Sequence, residues 1–243
     1  RFDNTGSYTK SGGATTTFHI PLNNAAGATL QVNAGRLLLP NGSSSSGVID
    51  VASGATLEFG GGTHNLSGLS AGPGTGRMLV STGQVNTTGA NSYGGLLALT
   101  AGTLTVGGSL QPGVFEQTGG VVNGAGTLVL NGNALWTQGS QTEAGSTVFN
   151  GALALSGNSY RDVSQRSLNF AGTTTWTNAP GNNVGRFRTG NGAVLTNSGS
   201  WLDQTVADTN FANELGGAMS RFDNTGSYTK SGGATTTTFY IPF

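Results

Sequence analysis

The chain has 243 residues, with ten basic and ten acidic side chains that cancel to zero net charge. Charged residues make up only 8%, glycine supplies 43 positions, cysteine is missing and 35% of residues are hydrophobic. The balance argues against a nucleic-acid partner, which needs a basic face, against a disulfide scaffold, and against disorder, because Val, Leu and Phe cluster repeatedly.

The first element is RFDNTGSYTKSGGATTT at residues 1–17, and the same seventeen letters return at residues 221–237, an interval of 220 residues. Beyond Thr17 the two copies drift. TTTFHIPL (15–22) becomes TTTTFYIPF (235–243), so a threonine is inserted, His19 is replaced by Tyr240 and Leu22 by Phe243. Large repeats decide the architecture and come first. The expected organisation is one β-solenoid segment over 1–243, with 1–220 as one tandem unit and 221–243 as the start of the next.

Short alternating runs then follow glycines along the chain: GATLQV (27–32), GATLEF (54–59), GRMLV (76–80), GLLAL (95–99), GTLTV (102–106), GTLVL (126–130), GALAL (151–155) and GAVL (192–195). In the first, Leu30 and Val32 face one way and Gln31 the other. In the second, Leu57 and Phe59 oppose Glu58. That is the period of a half-buried strand. No stretch shows a helical period, and glycine is too dense for helices.

A turn pattern recurs between the runs: FDNTGSY (2–8), LNNAAGATL (22–30), LTNSGSW (195–201) and FDNTGSY (222–228). Asn bonds nearby backbone and tolerates the left-handed region, and Gly supplies positive φ without a Cβ clash. Asn4, Asn24, Asn197 and Asn224 are therefore read as corners, closed by Gly6, Gly27, Gly199 and Gly226.

Short strands, frequent corners and starts spaced roughly 20–27 residues apart predict an all-β fold, a right-handed parallel β-helix or β-solenoid. One 220-residue unit would make about ten coils and advance roughly 48 Å. Leu and Val would form interior columns, and Asn would form ladders at the corners. GVIDVASGATLEFGGGTHNLSG (47–68), SLNFAGTTTWTN (167–178) and NGAVLTNSGSW (191–201) resemble the coils of large repetitive bacterial exoproteins and adhesins with right-handed parallel β-helix regions. The resemblance implies a long stalk or adhesive filament, extracellular or on the bacterial cell surface.

Chemistry is sparse. Asp203, Asp208, Glu214 and Asp223 form the densest acidic stretch, and carboxylates of stacked coils would have to converge for sugar cleavage or calcium binding. The two histidines, His19 and His64, are too few and too far apart for a zinc site. No catalytic residue, metal ligand or cofactor-binding residue is assigned, and no cofactor is expected. Trp136, Trp176 and Trp201 are the candidate ligand-stacking aromatics, offering flat faces to sugars; as core fillers they would offer none. RDVSQR (161–166) and GRFR (185–188) place Arg161, Arg166, Arg186 and Arg188 on outward loops, available to acids of a neighbour.

The leading functional expectation is a non-enzymatic structural module that gives a long extracellular fibre or surface stalk its rigidity and length. A carbohydrate- or receptor-binding adhesin region is the alternative, and a polysaccharide-degrading β-helix enzyme the second. The expected partners are adjacent copies of the same repeat, end to end in one chain or in a fibre, with lateral self-association or surface glycans as further partners. No nucleic acid and no membrane span are expected, because no apolar run approaches the ~18–20 residues of a spanning helix. FANELGGAM (211–219) is the nearest thing to a helical turn, and no cap helix is visible at either end.

Overall fold

The computed structural model describes residues 1–69 and 72–243. Among the described residues there are 29 strands and no helix. Every pairing is parallel, and the chain winds as a β-solenoid of about ten turns. FANELGGAM is not helical. Phe211 and Ala212 end the strand Thr209–Ala212, and the rest is turns.

Each turn has three faces. The first face begins with Phe2–Asn4, Leu22–Asn24 and Ser43–Ser45 and ends at Thr237–Phe239. The second begins with Ser7–Lys10, Thr29–Val32 and Val48–Val51 and ends at Arg221–Asn224. The third begins with Thr15–Thr17, Arg36–Leu39 and Thr56–Phe59 and ends at Ser227–Lys230. Mid-chain the strands lengthen around the corners. Ser109–Asn123 serves all three faces of its turn, with register shifts where it bends.

Alternation sets what goes inside. In Thr29–Val32, Arg36–Leu39 and Arg77–Val80 the second and fourth residues are buried and the others are half-exposed. A parallel ladder keeps equivalent positions in register, so inward residues form columns. Leu37, Leu57, Met78 and Leu97 make one such column.

The turn length is not uniform. Leu104 pairs with Val122, eighteen residues on, whereas Phe211 pairs with Phe239, twenty-eight residues on. The glycine-led runs gave a spacing of 20–27 because they were drawn from different faces. GATLQV lies on the second face and GATLEF on the third, and the true partner of Thr29 is Val48. The interior filling changes along the axis too. Early turns are packed with Leu and Val. Later turns are filled by aromatics in parallel stacks, Phe149 on Phe170 at 5.2 Å and Phe187 on Phe211 at 4.7 Å.

Candidate functional site

The acids scatter. Asp223 pairs with Arg221 on its own strand, Glu214 pairs with Arg186, and Asp208 accepts the backbone N–H of Thr236. Asp203 points the other way, into the interior. These four do not share a groove. Among the described residues no group of three or more His, Cys, Asp or Glu is placed to hold a metal ion. His19 is exposed. His64 is fully buried, with Nδ1 2.8 Å from Ser43 Oγ and Nε2 2.7 Å from the Gly61 carbonyl. Burial lowers its pKa to about 4, against a weaker opposing pull from the Gly61 carbonyl.

Trp136, Trp176 and Trp201 are all buried inside the coil, so they are withdrawn as a platform for an external ligand. Alternation explains it. In Thr173–Trp176 and Ser200–Asp203 the tryptophan occupies an inward position. Trp176 and Trp201 meet edge to face at 6.0 Å, and Phe187 stands against Trp136 and Trp176 at 5.6 Å each. The wider turns need large side chains to fill them.

The arginines also depart from expectation. Arg186 and Arg188 are on the outside. They lie over the Tyr160 ring at 4.9 and 4.0 Å, and Arg188 forks onto Asp162 at 2.7 and 2.6 Å. Arg161 and Arg166 are fully buried instead. Arg161 donates to the carbonyls of Trp136 (3.0 Å), Gly185 (2.6 Å) and Ser156. Arg166 donates to Thr147 Oγ1 and to the carbonyls of Gly124, Thr142 and Ser146. A rigid fork of five N–H donors can tie several backbone carbonyls that a turn leaves over. Burial pulls Arg161 down to about 9 and Arg166 to about 10, which leaves both cationic at neutral pH.

The corner residues do two separate jobs. Asn4 Nδ2 donates to Asn24 Oδ1 at 2.8 Å, Asn24 Nδ2 donates to Ser45 Oγ at 3.1 Å, and Asn197 Nδ2 donates to Asn224 Oδ1 at 2.7 Å. All three run toward the C-terminal end. Of the four glycines, only Gly27 has a positive φ, at 79°. Gly199 and Gly226 are needed for space. A Cβ at Gly199 would sit 2.1 Å from the Gly172 carbonyl oxygen, and one at Gly226 would sit 2.1 Å from that of Gly199. Nothing crowds Gly6 within 4 Å.

The densest polar cluster lies where the second copy of the repeated segment meets the coil beneath it. Ser200–Asp203 (SWLD) stacks under Ser227–Lys230 (SYTK), so Trp201 faces Tyr228 and Asp203 faces Lys230. Asp203 Oδ2 accepts from the Tyr228 hydroxyl at 2.7 Å and from Thr237 Oγ1 at 2.6 Å. Oδ1 accepts from the Thr205 N–H (3.1 Å), from Thr205 Oγ1 (2.7 Å) and from Lys230 Nζ (3.3 Å). Burial alone would raise this carboxyl, but the hydrogen bonds from Thr237, Tyr228 and Thr205 outweigh it and hold the pKa below the ordinary aspartate value. The Tyr228 hydroxyl is pushed up by burial and by the carboxylate it serves. Around the cluster, Phe239 stacks on Phe211 at 4.8 Å and Phe222 meets Trp201 at 5.4 Å.

Sequence reasoning missed this seat, although SWLD and SYTK stand one turn apart. Both Asp203 oxygens are taken up by donors of the cluster, while the indole N–H of Trp201 beside it is buried without a partner. The arrangement can hold two coils together. Comparison with family models, with curated proteins and with solved structures gave no match.

Proposed function

We propose that the chain is a structural module of a long repetitive fibre or surface stalk, working outside the cell. Its task would be mechanical, giving length through the number of stacked coils and stiffness through parallel ladders on three faces, those of the first and third running from one end of the coil to the other. One observation carries the reading: the repeated segment at 221–239 is seated as an ordinary coil on residues 194–212, through backbone pairing, aromatic stacking and the Asp203 cluster. A sequence that returns after 220 residues and continues the same ladder is what a tandem rod requires. The likeness of its coils to those of bacterial exoproteins and adhesins supports an extracellular setting. The low surface charge supports side-by-side packing, because self-repulsion is small.

Immunogold electron microscopy of intact cells that make the protein tests the reading. Gold aligned along filaments projecting from the surface is the expected result. Gold confined to the cell interior would overturn it.

A further inference from the structure

Residues 1–17 and 221–237 share one sequence but stand on different faces. Phe2–Asn4 is on the first face and Arg221–Asn224 on the second. Ser7–Lys10 is on the second and Ser227–Lys230 on the third. The displacement can be counted. Ten successive parallel pairings carry Thr16 to Tyr228 along the third face, by way of Leu57, Leu97, Ala134 and Thr174. Tyr8, the copy of Tyr228, lies one face before Thr16. The 220-residue interval therefore spans ten turns and one third.

The aromatic trio moves with it. Phe2, Tyr8 and Phe18 surround one another at 5.2–5.6 Å. Their copies Phe222, Tyr228 and Phe239 do the same at 5.4–6.3 Å, each one face further on. The motif thus keeps its own shape in two placements, one starting on the first face and one on the second.

The two copies also show opposite sides of the motif. Residues 1–18 are covered by the coil that follows them, and residues 221–239 by the coil that precedes them. Lys230 reaches Asp203. Lys10 is 6% exposed yet has only the carbonyls of Gly12 and Ala34 as partners. The Asn197-to-Asn224 bond and the Asn4-to-Asn24 bond point the same way, so superposing the motif joins them into one ladder.

We propose that the end face formed by residues 2–18 docks on the Asp203 layer of a second copy of this repeat, and that this seating turns successive copies by one third of a turn about the rod axis. The inference rests on the rod reading above. Asp203 of one copy receives the Tyr8 hydroxyl and Lys10 Nζ of the next, and Phe18 stacks on Phe211. A surface feature then recurs on each of the three sides in succession, roughly 50 Å apart along the axis, and returns to its first side after about 31 turns.

The test uses a chain in which residues 1–220 are duplicated ahead of the complete 1–243. The protein has no cysteine, so Gln84→Cys in each unit, exposed on the first face, gives two unique labelling sites for electron microscopy. Labels about 120° apart around one straight rod are expected. Labels on the same side of a straight rod would overturn the rotation and leave the rod reading standing. Two bodies that swing about a joint would overturn both. A second arm uses the complete 1–243 chain carrying Asp203→Asn. Amides of 221–239 should exchange about tenfold faster while those of 103–130 stay unchanged, and unchanged exchange in 221–239 would remove Asp203 from the seat.

Discussion

The Tyr228 hydroxyl donates to Asp203 Oδ2 at 2.7 Å, across 25 residues of chain. This bond joins a residue found once, Asp203, to one that the sequence carries twice, as Tyr8 and Tyr228. The carboxylate is fully buried and its pKa is held below the usual aspartate value. A lowered folded pKa stabilises above the unfolded value, near 3.8, and that stability is lost as pH falls through the folded pKa. The C-terminal coil should therefore stay seated at pH 5 and loosen below about pH 4. Hydrogen exchange of residues 221–239 across an acid titration checks this. Loosening already at pH 6 would contradict it.

His64 sets a second, separate pH window. Its pKa is lowered to about 4 in the folded chain from 6.5. The unfolded chain then binds more protons between those values, so stability rises with pH across that range. The contribution is complete above pH 6.5 and amounts to at most about 3 kcal/mol at neutral pH. His64→Val, which matches Val85 in the next turn of the column, should flatten the dependence between pH 4 and 6.5. Urea melts at pH 4.5, 5.5 and 7 of both proteins measure it.

Gly226 and Gly6 are copies of one position in different surroundings. A Cβ at Gly226 would lie 2.1 Å from the Gly199 carbonyl oxygen, and one at Gly6 meets nothing within 4 Å. Gly226→Ala should destabilise the C-terminal coil by about 1–3 kcal/mol, the range for overpacking. Gly6→Ala should stay within about 0.5 kcal/mol. Exchange at residues 221–239 and the overall melting temperature separate the two variants.

Arg161 ties three backbone carbonyls in the interior, those of Trp136, Ser156 and Gly185. Arg161→Lys keeps the charge but brings a single ammonium that cannot reproduce the fork. It should cost about 2–4 kcal/mol, because each buried carbonyl left without a partner costs on the order of 1–3 kcal/mol. A Lys variant melting at the parent temperature would show that water replaces the lost donors.

The solenoid was legible because glycine-led alternation marks strands one by one, and LTNSGSW and FDNTGSY mark corners. Inward residues were also legible in principle. In Arg161–Ser164 the alternation places Arg161 on the same side as Val163, and in Ser200–Asp203 it places Asp203 beside Trp201. Charge misdirected the reading, since a charged side chain is seldom buried unpaired. The phase between faces was not legible. It depends on turn length, and that is set by loops such as 177–186 and 213–220, whose residues carry no strand period. Asp203 meets Tyr228 only because of those lengths.

All three tryptophans lie in the wide, aromatic-filled turns after residue 135, and none in the Leu/Val-filled turns before it. Tryptophan fluorescence therefore reports one end of the rod alone, while the tyrosines Tyr8 and Tyr93 and the far-ultraviolet backbone signal sample the other. In a stack where each turn touches only its neighbours, the ends can melt apart. A melt that is later by fluorescence than by circular dichroism would then be the optical signature of a narrow end that opens first.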